Sequence, residues 1–104
     1  MEEPRGLAAA LMSTWSALDQ ADEKAIETAL TTLAMSLGAS RIETGTIKAL
    51  RAVVLQRMRP MPDRAAWEAC GASKSNFMKW KARLRDEQSN VEVLAAARVL
   101  TLVR

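Results

Sequence analysis

The chain has 104 residues, 49% hydrophobic but only 4% aromatic, with no histidine, a single cysteine and a net charge of +3. This fits one domain with one modest core, and it excludes an internal disulfide and any Ser/His or Cys/His catalytic pair, and disfavours a zinc site. There is no phosphate-cradling glycine motif and no apolar run near the roughly 20 residues of a membrane span, so no enzyme, cofactor, metal or membrane association is expected.

The chain opens MEEPRG, acidic where a secretory signal would be basic, and Cys70 has no internal partner; a cytoplasmic protein is expected. Three prolines and four glycines leave long runs rich in Leu, Ala, Val and Met, which favours an all-α fold of five to six helices. The first helix covers 4–18. Pro4 suits its first turn, and Glu2 and Glu3 favour the positive end of the helix dipole. Leu7, Leu11, Trp15 and Leu18 recur at helical spacing, which makes Trp15 a core or interface anchor. A second helix starts at Asp19 or Asp22, either of which can cap it. Ile26, Leu30, Leu33 and Leu37 form its stripe, widened by Ala34 and Met35, and Gly38 stops it. Residues 1–40 hold two basic and six acidic side chains, so this hairpin over 1–38 would repel phosphate. It reads as a packing or dimerisation unit.

Residues 38–46, GASRIETGT, read as a linker. LGAS-Arg at 37–41 echoes CGAS-Lys at 70–74, and Lys48-Ala49 echoes Lys81-Ala82 at the same offset of 33. A second, degenerate helix-turn-helix over 34–48 is therefore an open alternative, although Thr44 and Gly45 fall where it would need an apolar helix former. The third helix covers 46–59, capped by Thr44 or Thr46, with Ile47, Leu50, Val54 and Met58 in one stripe and Val53 beside it. Lys48, Arg51, Arg57 and Arg59 make its other faces basic. Pro60 and Pro62 end it. Asp63 can cap a short helix over 64–70 that stops at Gly71, and Ser73 can cap the next. That helix carries Phe77, Trp80 and Leu84 at i, i+3 and i+7, on one face. The polar Ser89-Asn90 separates it from a last apolar helix over 89–104, with Val93, Ala97 and Leu100 on one side.

Residues 41–85 contain eleven basic and three acidic side chains, net +8, between flanks of −4 and −1. A basic, amphipathic helix following a tight glycine turn has the form that enters a DNA major groove. The stretch Gly71-Ala72-Ser73-Lys74-Ser75-Asn76-Phe77-Met78-Lys79-Trp80 resembles the helix-turn-helix of small bacterial, phage and plasmid regulators and site-specific recombinases, over about 20 of the 104 residues. Trp67 stands four residues before Gly71, where that family has a small residue at the helix crossing; Ala66 is the substitute. The resemblance implies a tri-helical unit over 46–85, double-stranded DNA as partner and a homodimer.

At 100° per residue, Ser75, Lys79 and Ala82 lie opposite Phe77, Trp80 and Leu84. Because the first turns of such a helix reach deepest, the base-contacting candidates are Lys74, Ser75, Asn76 and Lys79. The phosphate-contacting candidates are Ser73, Lys81, Arg83 and Arg85, extended by Arg57, Arg59 and Arg64. The plainer reading of each cation is a solvated surface charge, and that of Trp67, Phe77 and Trp80 is core. The function expected is sequence-specific transcriptional regulation, by a dimeric repressor on an operator palindrome. The alternatives are a DNA-binding accessory factor for recombination, partition or packaging, and an all-α protein-protein interaction module working through the acidic hairpin.

Overall fold

The computed structural model describes the backbone of residues 3–103 and the side chains of residues 7–88. It is all-helical: α1 (Glu3–Gln20), α2 (Glu23–Ser36), α3 (Thr44–Met58), α4 (Asp63–Cys70) and α5 (Lys74–Val103). The break expected at Ser89-Asn90 does not occur, and the terminal helix is the continuation of α5. Neither Gly nor Pro follows Gly71 in the sequence. Ser and Asn each cost a helix only about half a kcal/mol against Ala, too little to stop it. The apolar side expected of Val93, Ala97 and Leu100 lies outside the described side chains.

Three helices end the same way. At α4, the Gly71 amide donates to the Glu68 carbonyl (3.2 Å) and the Ala72 amide to that of Trp67 (2.8 Å). At α2, Gly38 donates to Met35 (3.0 Å) and Ala39 to Ala34 (3.0 Å). At α1, Ala21 donates to Leu18 (3.2 Å) and Asp22 to Ala17 (3.3 Å). Each is a Schellman closure, which needs a left-handed residue at its hinge. Gly71 (φ 68°) and Gly38 (φ 82°) supply it freely, whereas at α1 it is Ala21 (φ 54°). The GAS echo is thus physical as far as the glycine. After Gly71 only Ala72 and Ser73 intervene before α5, but after Gly38 five residues precede α3. The second tight turn left open over 34–48 does not form.

Helix starts differ from expectation in two places. Asp22, not Asp19, caps α2, accepting the Ala25 amide at 3.2 Å. Neither Thr44 nor Thr46 caps α3, whose N-cap is Glu43 with no side-chain hydrogen bond. Asp63 lies inside α4 after an N-cap at Pro62, and its carboxylate is used elsewhere.

Helix α3 is the hub, packing against all four other helices. Its buried residues, Thr46, Ala49, Leu50, Ala52, Val53 and Val54, span about 200° of the helix at 100° per residue. Around it, α2 buries Ile26, Leu30, Leu33 and Ala34, and α5 buries Phe77, Trp80 and Leu84, as their spacing predicts. Helix α1 is rotated from expectation: Leu7, Ala10, Thr14 and Ala17 face the core, Leu11 and Leu18 flank it, and Trp15 is 46% exposed. The small residues let α1 lie close along α2, and the Thr14 hydroxyl is satisfied by the Ala10 carbonyl at 2.8 Å. Met35, expected to widen the α2 stripe, is 64% exposed. Among the described residues no helix is long and apolar enough to cross a membrane.

Candidate nucleic-acid interface

The turn between α4 and α5 is held from both sides. Gly71 closes α4, and Ser73 caps α5 by accepting the Asn76 amide at 3.2 Å on its hydroxyl oxygen. The Ser73 carbonyl takes the Phe77 amide at 3.0 Å. Beneath the turn the Trp67 and Phe77 rings meet at 5.6 Å, tilted by 60°. Ala66 is fully buried and Trp67 half-buried. Ala66 therefore occupies the close-packed position while Trp67 forms an aromatic wall, and the three aromatics Trp67, Phe77 and Trp80 pack with the core.

A second fastening lies at the other end of α4. The Asp63 carboxylate accepts from Lys81 Nζ at 2.6 Å and from Gln56 Nε2 at 2.7 Å, and the same amide nitrogen donates to the Met61 carbonyl at 2.9 Å. One carboxylate thus ties α3, the proline link and α5 together. The Lys81 and Gln56 donors hold its pKa below the ordinary aspartate value, because both favour the ionised form.

The base-contacting candidates sort by environment. Lys74, Ser75 and Lys79 are exposed on the first two turns of α5. Asn76 is half-buried, and its Nδ2 lies against the first turn of α3, so close to Gly45 that a Cβ there would meet it at 2.8 Å. The amide is partly committed to packing. Lys48 was not among the sequence candidates, yet its stem lies 4.0 Å from where a Gly71 Cβ would stand. No local motif marks it; only the docking of α3 on the turn brings it there.

The phosphate-contacting candidates are less uniform. Ser73 is exposed but already engaged as a cap. Arg83 and Lys79 flank Trp80, with their charged groups 5.2 and 5.3 Å from the ring centre, which preorganises both long side chains. Lys81 is held by Asp63, Arg64 by Glu68 at 2.8 Å, and Arg85 lies 3.5 Å from Asp86. Arg59, at the end of α3, is exposed. Arg57 follows Leu50, Val53 and Val54 at i+7, i+4 and i+3, so it stands just past the end of the buried stripe, where its side chain is exposed as expected while its stem lies against the neighbouring helices. Burial pushes its guanidinium pKa below the usual arginine value. It shares a hollow of about 400 Å³ with Lys81, Arg85, Met78 and Gln56.

Arg51 contributes to the +8 segment but not to a free surface. It pairs bidentately with Glu23 of α2 at 2.9 and 3.0 Å, bracing the hairpin against α3. Cys70 is half-buried, and burial raises its thiol pKa, so the thiolate is disfavoured. Comparison of the chain with protein-family models, curated proteins and solved structures finds no match.

Proposed function

We propose that the chain is a sequence-specific DNA-binding protein, acting as a dimeric transcriptional regulator, with α3, α4 and the first turns of α5 forming a tri-helical helix-turn-helix unit. One observation carries the reading. A three-residue turn hinged on left-handed Gly71 joins α4 to a helix whose inner face is buried by Phe77, Trp80 and Leu84 and whose outer face presents Lys74, Ser75 and Lys79. In the bound state these residues meet base edges in the major groove. Asn76 reaches an adenine only by leaving Gly45, while Lys48, Arg59 and Arg83 meet phosphates with Ser73, Lys81, Arg85, Arg57 and Arg64 around them.

Two copies would place their recognition helices about 34 Å apart on a palindrome, and such a dimer acts as a repressor by occupying an operator of plasmid or phage type. The acidic hairpin and the helical tail beyond residue 88 are the parts available to hold the dimer. The test is a gel shift and footprint on the DNA upstream of the protein's own coding region, over a range of salt. A short, palindromic, salt-sensitive footprint is expected; no binding at any salt would overturn the reading. A long, multi-site footprint would assign the protein instead to recombination, partition or packaging.

The exposed Met12, Trp15 and Met35 on the hairpin favour a second reading, in which that face binds a different protein. A stoichiometric heteromeric complex without DNA affinity would establish it.

A further inference from the structure

An open trough of about 610 Å³ runs between α1, α3 and α5, within the range of small-molecule sites. Its apolar lining comes from Leu11, Met12 and Trp15 above the buried Val54, and Trp15 keeps 46% of its surface in water. Its cation is Arg57. Among the described residues no carboxylate stands within ion-pair distance of that guanidinium, although Arg51, Arg64, Lys81 and Arg85 all have acidic partners. Ser16, Asp19 and Gln88 complete the lining.

We propose that this trough binds a small amphiphilic monoanion, with a flat apolar body against Trp15, Leu11 and Met12 and one carboxylate on the Arg57 guanidinium. The charge sets the ligand class. A guanidinium with no acidic partner among the described residues gains most from a carboxylate, whose two oxygens match its fork. The Asp19 carboxylate disfavours a second negative group, and the Gln88 amide can meet a neutral polar substituent.

The site also regulates, and this half rests on the DNA-binding reading. Arg57 borders the trough on one side and the hollow with Lys81 and Arg85 on the other. A carboxylate held bidentately on Arg57 takes the two donors of one edge and places negative charge beside the hollow, which opposes a DNA phosphate there. Ligand and DNA therefore oppose each other at Arg57, and the antagonism is reciprocal.

The experiment titrates the full-length, isotope-labelled chain with 1-naphthylacetate and with its uncharged isostere 1-naphthylacetamide, by NMR and calorimetry, without DNA. Expected is 1:1 binding of the acid that shifts the Trp15 indole N–H and the Leu11 and Met12 methyls, with the amide weaker by about tenfold or more. Arg57→Gln should remove that difference between acid and amide, and Arg57→Lys should restore part of it, which keeps the test sound if the glutamine variant folds poorly. Equal binding of acid and amide, shifts elsewhere, or unchanged acid affinity in Arg57→Gln would overturn the site. With DNA present, saturating acid should weaken binding several-fold. Unchanged DNA affinity would overturn the regulatory half alone. A chain with no salt-sensitive DNA binding loses that half together with the DNA reading, and the ligand result stands on its own.

Discussion

Ala21 is the clearest single-residue strain in the described chain. It holds φ 54° at the same hinge where the other two Schellman closures have glycine. A left-handed alanine costs about 1 kcal/mol or more that glycine avoids. Ala21→Gly should therefore raise unfolding free energy by about 0.5–1 kcal/mol, after the entropy glycine adds to the unfolded chain. Urea denaturation checks this, and a lower midpoint would show that the turn is not strained. Asp63 governs an acid effect. Its folded pKa is depressed, so its contribution is present above the unfolded value of about 3.9 and disappears as pH falls through the folded value. Glu23, lowered by the Arg51 hydrogen bonds, acts in the same direction. Below about pH 4 stability should fall with acidity, and Asp63→Asn should flatten part of that fall, measured by urea midpoints from about pH 5 to 2. On the exposed side of α5, Lys79→Ala should weaken specific DNA binding by about 1–3 kcal/mol. Arg64→Ala should cost less, because Glu68 already occupies that guanidinium.

At the scale of elements, α5 does two jobs on opposite faces, and they can be separated. Phe77 is fully buried, touching Trp67 and lying under the Lys81 ammonium. Phe77→Ala should cost about 3–5 kcal/mol of folding stability through the cavity it leaves. Thermal unfolding read by circular dichroism measures it, and a loss below about 1 kcal/mol would mean the core relaxes around the gap. Lys79→Ala should leave the same unfolding curve almost unchanged. Helix α3 shows why an element can be legible in place but not in role. Its extent over 44–58 lies within two residues of the range the periodicity predicts, yet its neighbours on every side were invisible. Arg57 reads as outer and basic and is exposed, but only the placement of α1 and α5 sets it between two grooves. The Gly38 and Gly71 turns show the converse. Identical GAS tripeptides share the hinge, and the residues downstream of each tripeptide decide whether the next helix starts in three residues or six.

For the whole molecule, acidic and basic charge are segregated along the chain: an acidic hairpin and a basic middle of net +8. That net charge already counts the acids paired with Arg64 and Lys81, whereas Arg51 pairs with Glu23 of the acidic hairpin and so loses one further free cation from the basic middle. Binding through about six to eight phosphate contacts should fall by about a thousandfold to ten-thousandfold between 50 and 200 mM salt. Fluorescence anisotropy across that range tests it; a salt-insensitive affinity would place the interaction elsewhere on the protein.

Amino-acid order alone determined the helical class, the order of the first four helices, the stops at Gly38, Gly71 and the proline pair, and Phe77, Trp80 and Leu84 as the buried face of α5. These arise from local steric rules and from a period of 3.6 residues, which a single strand of sequence carries in full. Only the tertiary structure decided which face of α1 turns inward, that Asn76 rests on Gly45, that Lys48 reaches the turn, and that Asp63 staples Gln56 to Lys81. It also decided that Arg57 ends between two grooves. Such facts depend on contacts between residues far apart in the chain, where packing volume and ion pairing choose among registers that the local pattern leaves equal.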